Sequence, residues 1–147
     1  MSSVDWNKRF IEFTEYISKW SKDKNTGVGA AIVDSDNRIV SVGYNGFPSG
    51  LNDKIDSRHE RPAKYLYTEH AERNAIYNAA RIGVKTKDCK MFLMWFPCPD
   101  CARAIIQCGI TELICKKPDF TDKRWGDGFK VSLEMLEECK LKITYYG

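Results

Sequence analysis

"MFLMWFPCPDCARAIIQCGITELIC", residues 91–115, reads as a strand, a helix and a second strand in close succession. Met91 to Phe96 is an unbroken apolar and aromatic run of the kind found in a strand buried on both faces. Pro99 suits the first position of a helix, because its missing N–H would have no partner there in any case. A helix is therefore expected from Pro99 to Cys108, stopped by Gly109, with Glu112 to Cys115 as the next short strand. Strand, helix and strand in so short a span place the chain in the α/β class.

Outward from this stretch the same alternation continues. A helix is predicted from His70 to Ile82, ending at Gly83, and another from Asp127 to Cys139, with Phe129, Leu133 and Leu136 on one face. Lys142 to Tyr146 reads as a last strand. Near the start, Trp6, Phe10, Phe13, Ile17 and Trp20 fall at helical spacing, so a helix from about Asp5 to Lys19 should turn an aromatic stripe to the core. "VGAAIVD" (28–34) and "RIVSVGY" (38–44) are β-type runs joined by Ser35-Asp36-Asn37, which predicts a hairpin. The order α-β-β-α-β-α-β-α-β implies a three-layer α/β/α domain with a five-stranded mixed sheet, one domain over residues 1–147. Residues 45–68, rich in Gly, Pro, Asn and charge, form a loop too long to be a plain connection, so it is expected to be functional or mobile.

Composition narrows the class of protein. With 147 residues, 43% hydrophobic and 12% aromatic, the chain can build a real core, which argues against disorder. No stretch approaches the ~20 apolar residues of a membrane span, and no leader-like run opens the chain, so a soluble cytoplasmic protein is expected. The net charge of +3 comes from 23 basic and 20 acidic residues without a basic tail or block. That balance suits a phosphorylated small molecule and gives no footprint for nucleic acid. Six cysteines in such a chain are expected to pack, react or bind metal rather than form disulfides.

"HAERNAI" (70–76) and "FPCPDCA" (96–102) carry the chemistry. Each lies where a loop enters a helix, and in an α/β sheet two neighbouring helix N-termini open on the same edge. His70, Cys98 and Cys101 then offer three ligands to one ion, with Cys98 at a helix cap and Cys101 in its first turn. The positive end of the helix favours both thiolates. Three protein ligands leave zinc an open position for water, the composition of a catalytic site. Glu72, two residues past the histidine, is too tightly tied to it to share the ion but can reach that water and move its proton. H-x-E followed by P-C-x-x-C is a known signature of zinc deaminases acting on nucleobases, and the chain matches it without a gap.

The resemblance extends beyond the metal motif. "WSKDKNTGVGAAIVD", "GYNGFPSG", "RPAKYLYTEHAERNAI", "IIQCGITELI" and "RWGDGFKVSLEML" are similar to successive segments of the deoxycytidylate deaminases, covering nearly the whole chain. The resemblance implies a cytidine-deaminase-like fold and hydrolysis of dCMP to dUMP and ammonia, feeding thymidylate synthesis, in a homo-oligomer that is often a hexamer. It also implies that Asn45 hydrogen-bonds the nucleoside and that Ala71 offers a backbone group near the base. The loop holding Gly43, Tyr44 and Gly46 resembles the family's control site for dCTP and dTTP. Lys22, with Lys24 close by, stands where a phosphate contact would suit.

Blander readings compete at several positions. Cys98-x-x-Cys101 could be a redox pair, which leaves the proline and the distant His-x-Glu unexplained. Asn45 would serve as a turn residue, and His59 is most simply an exposed loop side chain with no cysteine beside it to build a second metal site. Cys89, Cys108, Cys115 and Cys139 read as small core hydrophobes, and Trp95-Phe96 and Tyr145-Tyr146 as core before pocket. Deaminases of free cytosine, guanine or tRNA adenosine remain alternatives, as does a non-catalytic zinc module, for which Cys89 or Cys108 would have to supply a fourth ligand.

Overall fold

A computed structural model describes residues 4–146. Eleven elements follow the chain: α1 (Trp6–Ser18), β1 (Gly29–Val33), β2 (Ile39–Tyr44), a short 3-10 turn (Asp56–His59), α2 (Lys64–Tyr67), α3 (Ala71–Ile82), β3 (Lys90–Leu93), α4 (Pro99–Gln107), β4 (Glu112–Lys116), α5 (Gly126–Glu138) and β5 (Lys142–Tyr146). The strands form one mixed sheet in the order β2-β1-β3-β4-β5. β1 runs antiparallel to both β2 and β3, whereas β3, β4 and β5 are parallel. No helix among the described residues is long and apolar enough to cross a membrane.

Strand side chains alternate faces, and that period of two sorts the core into two layers. Ala30, Ile32, Met91, Leu93, Leu113 and Cys115 face α3, α4 and α5, where they meet Ala75, Ile105, Phe129 and Leu136. Their neighbours Ala31, Val33, Phe92 and Ile114 face the other way, onto Phe10 and Ile11 of α1. Phe10 packs on Phe92 with ring centroids 4.9 Å apart. Burying a side chain such as Phe92 contributes roughly 1.5–3 kcal/mol.

The structure corrects the expected aromatic stripe of the first helix. Trp6 is 41% exposed and Trp20 51% exposed; the buried face is Phe10, Ile11, Thr14 and Ile17, with Phe13 partly covered. β3 ends at Leu93 rather than Phe96, and beyond it Trp95 and Phe96 leave the strand to line a cavity. The 45–68 segment is not uniform loop but contains the 3-10 turn and α2. Cys89 and Cys115 are buried and Cys108 partly so, but Cys139 at the end of α5 is exposed and is not core. Burial pushes the Cys115 thiol up to about 12, as befits an inert packed group.

Candidate metal centre and active site

Two helix starts make the centre. His70 caps α3 in extended conformation, and Cys98 caps α4 in the same way, with Pro99 opening the helix. Neither cap spends its side chain on the helix backbone. The His70 imidazole and the two sulfurs are therefore free to converge. His70 Nδ1 lies 3.4 Å from Cys98 Sγ and 3.4 Å from Cys101 Sγ, and all three donor atoms fall within 4.8 Å of one another. A tetrahedral zinc with Zn–S of about 2.3 Å and Zn–N of about 2.0–2.1 Å sets sulfur and nitrogen roughly 3.5 Å apart. The donor set thus has the composition and the spacing of a zinc site.

Protonation in the triad is shared unequally. Hydrogen bonding from the Cys101 thiol, then from His70, holds Cys98 down to about 4 despite its burial. Cys101, pairing with the Cys98 sulfur and deeply buried, is pushed up. His70 is raised by its bond to Cys98. Glu72, in the first turn of α3, is 4% exposed, and burial raises its pKa. It stands beside the donor atoms without joining them.

Around the triad lies a cavity. Val28, Asn45, Ala71, Trp95, Phe96 and Phe129 line it, and the Trp125 ring stands edge-on to His70 at 6.4 Å between centroids. Phe96 is thus both core and pocket, and Trp95 is pocket as well. Asn45 joins it with its amide in use: Oδ1 accepts from the Val28 N–H at 2.8 Å and Nδ2 donates to the Thr26 carbonyl at 2.9 Å. Exposed Arg61, Tyr65 and Arg124 mark the outer rim, since with Pro62 and Trp125 they also frame a shallow depression. Asp23 and Lys64 complete the polar wall, 3.4 Å apart and both largely buried.

The comparisons with known proteins agree with this centre. Residues 4–117 match the family model of the cytidine and deoxycytidylate deaminase zinc-binding region. The chain belongs to this deaminase family. It is 43% identical over 143 residues to an uncharacterised deaminase encoded in the luxG 3′ region of Aliivibrio fischeri, covering 95% of this chain and 92% of that one. Human deoxycytidylate deaminase is 40% identical over 136 residues, covering 83% of this chain and 75% of the human protein. In fold, the deaminase is similar to the dCMP deaminase of cyanophage S-TIM5, solved with dCMP and dUMP, at a TM-score of 0.79 and 22% identity over 99% of this chain and all of the phage one.

Other singled-out residues of the deaminase fall elsewhere. Lys22 does not reach the cavity around His70; it is ion-paired with Asp53 and lines a second cavity together with Lys24, Tyr44 and Gly46. Gly43 lines neither. A Cβ there would meet Ala75 N at 2.3 Å and Ala71 O at 2.4 Å, so this glycine lets β2 and α3 touch backbone to backbone. His59 is not a free loop side chain: it stacks on Phe47 at 4.7 Å, and its Nε2 meets the Asp53 carbonyl at 2.6 Å. Sequence reasoning missed Asp23, Arg61, Lys64, Arg124 and Trp125 as pocket residues. The one available signal was the clustering of cations and aromatics in "RPAKY" and "KRW" on irregular segments.

Proposed function

We propose that the protein hydrolyses dCMP to dUMP and ammonia in the cytoplasm, as a homo-oligomer built from one deaminase domain over residues 1–147. The observation that carries this reading is the buried Glu72 beside a three-ligand donor set, inside a cavity that also holds cationic side chains. Human deoxycytidylate deaminase supports the choice of base and sugar by its likeness to the chain.

His70, Cys98 and Cys101 would hold zinc, which would supply Lewis-acid activation of water. Glu72 takes a proton from the attacking water and delivers it to N3 of the cytosine. The remaining proton of the C4 hydroxyl passes through the same carboxylate to the exocyclic nitrogen, and the C4–N bond breaks as the C4 carbonyl forms. Ammonia leaves and the oxygen stays on C4. The ring lies along Ala71, whose backbone is near the base, with Trp125 and Phe129 excluding water. Asn45 keeps one N–H and one lone pair beyond its two backbone bonds, enough to meet a sugar hydroxyl.

The second cavity suits the effectors dCTP and dTTP, because Lys24, in none of the ion pairs of the described residues, brings a cation to the loop of Tyr44 and Gly46. Its state can reach the metal centre by a short path: Gly46 N–H donates to the Glu69 carbonyl at 3.1 Å and Glu69 N–H returns to Gly46 at 2.8 Å, one residue before His70. The test is a substrate panel of deoxycytidine, dCMP, CMP and dCTP, each with and without added dCTP or dTTP. Turnover of dCMP above the others is expected. No turnover of dCMP would end the reading, and a hyperbolic dCMP curve untouched by either triphosphate would remove its regulatory part.

A further inference from the structure

A buried or half-buried phosphate dianion needs cations that are not already neutralised. Three cationic residues line the cavity around His70: Arg61, Lys64 and Arg124. Lys64 is balanced by Asp23 at 3.4 Å. Arg61 and Arg124 have no carboxylate within 4.0 Å among the ion pairs of the described residues. They arrive from distant parts of the sequence, Arg61 just before α2 and Arg124 just before α5. One hydrogen bond ties these segments, from Arg124 Nη1 to the Tyr65 hydroxyl at 3.1 Å.

We infer that Arg61 and Arg124 form the specificity-determining pair that meets the 5′-phosphate of the substrate, and that Lys22 does not. The inference rests on the deaminase reading above and adds to it which residues separate a nucleotide from a nucleoside. The direction of the cavity supports it. Glu72 lies buried at the deep end of the cavity and exposed Arg61 and Arg124 lie on its rim, so a base held against Glu72 leaves its sugar and phosphate to point toward the arginines. Guanidinium groups present paired N–H donors in a plane, which matches two phosphate oxygens better than a lysine ammonium does. Lys22 is committed to Asp53 and faces the second cavity, so it has neither the free charge nor the position.

The experiment compares kcat/KM for dCMP and for deoxycytidine in the zinc-loaded wild type, Arg61→Gln, Arg124→Gln, the double variant and Lys22→Ala, without triphosphates. Loss of one charge-assisted contact is expected to lower the dCMP-to-deoxycytidine ratio about tenfold in each arginine variant, and further in the double variant. Lys22→Ala is expected to keep the wild-type ratio. Zinc content and circular dichroism establish that each variant is folded. As a second measurement, independent of any substitution, added salt should raise KM for dCMP more steeply than for deoxycytidine, since the contact is exposed and screened. A ratio unchanged in the double variant, or lowered only in Lys22→Ala, overturns the assignment of the phosphate while leaving the deaminase reading intact. A wild type that turns over neither compound, with or without added dCTP, overturns the deaminase reading itself.

Discussion

Glu72 and Arg73 are adjacent in sequence and take opposite parts at the metal centre. The Glu72 carboxyl is buried with its pKa raised, beside but outside the donor set, which is where a proton carrier should stand. Glu72→Gln should keep zinc and fold and lose turnover by about 10²–10⁴-fold, because an amide cannot accept the proton of water; substantial activity in the zinc-loaded variant would remove Glu72 from this part. Arg73 instead acts on the helices. It is ion-paired with Glu69 and reaches Asp100 on α4 at 3.6 Å, and its charge acts on both Cys101 and Cys98. It therefore spans from the residue before His70 to the residue before Cys101. Outer partners of this kind affect metal affinity by about 10–100-fold, so Arg73→Ala should release zinc to a colorimetric chelator faster by about that factor. Equal release rates would leave Arg73 as a surface ion pair. The convergence of His70, Cys98 and Cys101 was legible in the sequence because their types are rare together and their spacing is fixed by helix caps. Arg61 and Arg124 were not, because nothing local distinguishes a rim arginine from a solvated one until α2 and the turn before α5 are brought side by side.

At the scale of elements, β2 and α3 depend on one residue without a side chain. Gly43 lies where the α3 backbone at Ala71 and Ala75 comes closest to the strand, and α3 is the helix that presents His70 and Glu72. Gly43→Ala must push the two apart, since the obstructing atoms are backbone and cannot rotate away. A loss of about 1–3 kcal/mol is expected in urea unfolding, the usual cost of overpacking, together with weaker zinc retention from the tilted helix. An unchanged midpoint would mean that the contact gives way freely. The elements themselves were mostly readable, because β1, β3 and β4 are short apolar runs buried on both faces and α3 to α5 repeat at 3.6 residues. Errors arose where aromatic content stood in for burial: Trp6 and Trp20 share the helical spacing of Phe10 and Ile17 but lie off the face that α1 turns to Phe92. Cys139 failed for a similar reason, since a cysteine at a helix end has no sheet above it.

Across the whole molecule, the two cavities share a wall made by Asp23, Asn45, Lys64 and Thr68. Its charged part is the Asp23–Lys64 pair, which joins the segment after α1 to the first residue of α2 and so ties the long 45–68 segment to the sheet side of the fold. Burial pushes the Asp23 carboxyl up, but N–H bonds from Asn25 and Thr26 and the charge of Lys64 outweigh it, and the pKa lies below its ordinary value of 3.8. A carboxyl with a depressed folded pKa adds stability that is present above its unfolded value and lost as pH falls through the folded one. Asp23→Asn removes that contribution and leaves the Lys64 ammonium without its partner. At pH 7 the variant should be less stable by about 1–2 kcal/mol, the order expected for a partly solvated charged contact. The difference should begin to shrink near pH 4 and vanish once Asp23 is protonated in the folded wild type as well. Urea titrations of both proteins between pH 7 and pH 2 measure this directly. A gap that stayed constant through the acid range would show that the Asp23 carboxylate charge contributes nothing to holding the wall.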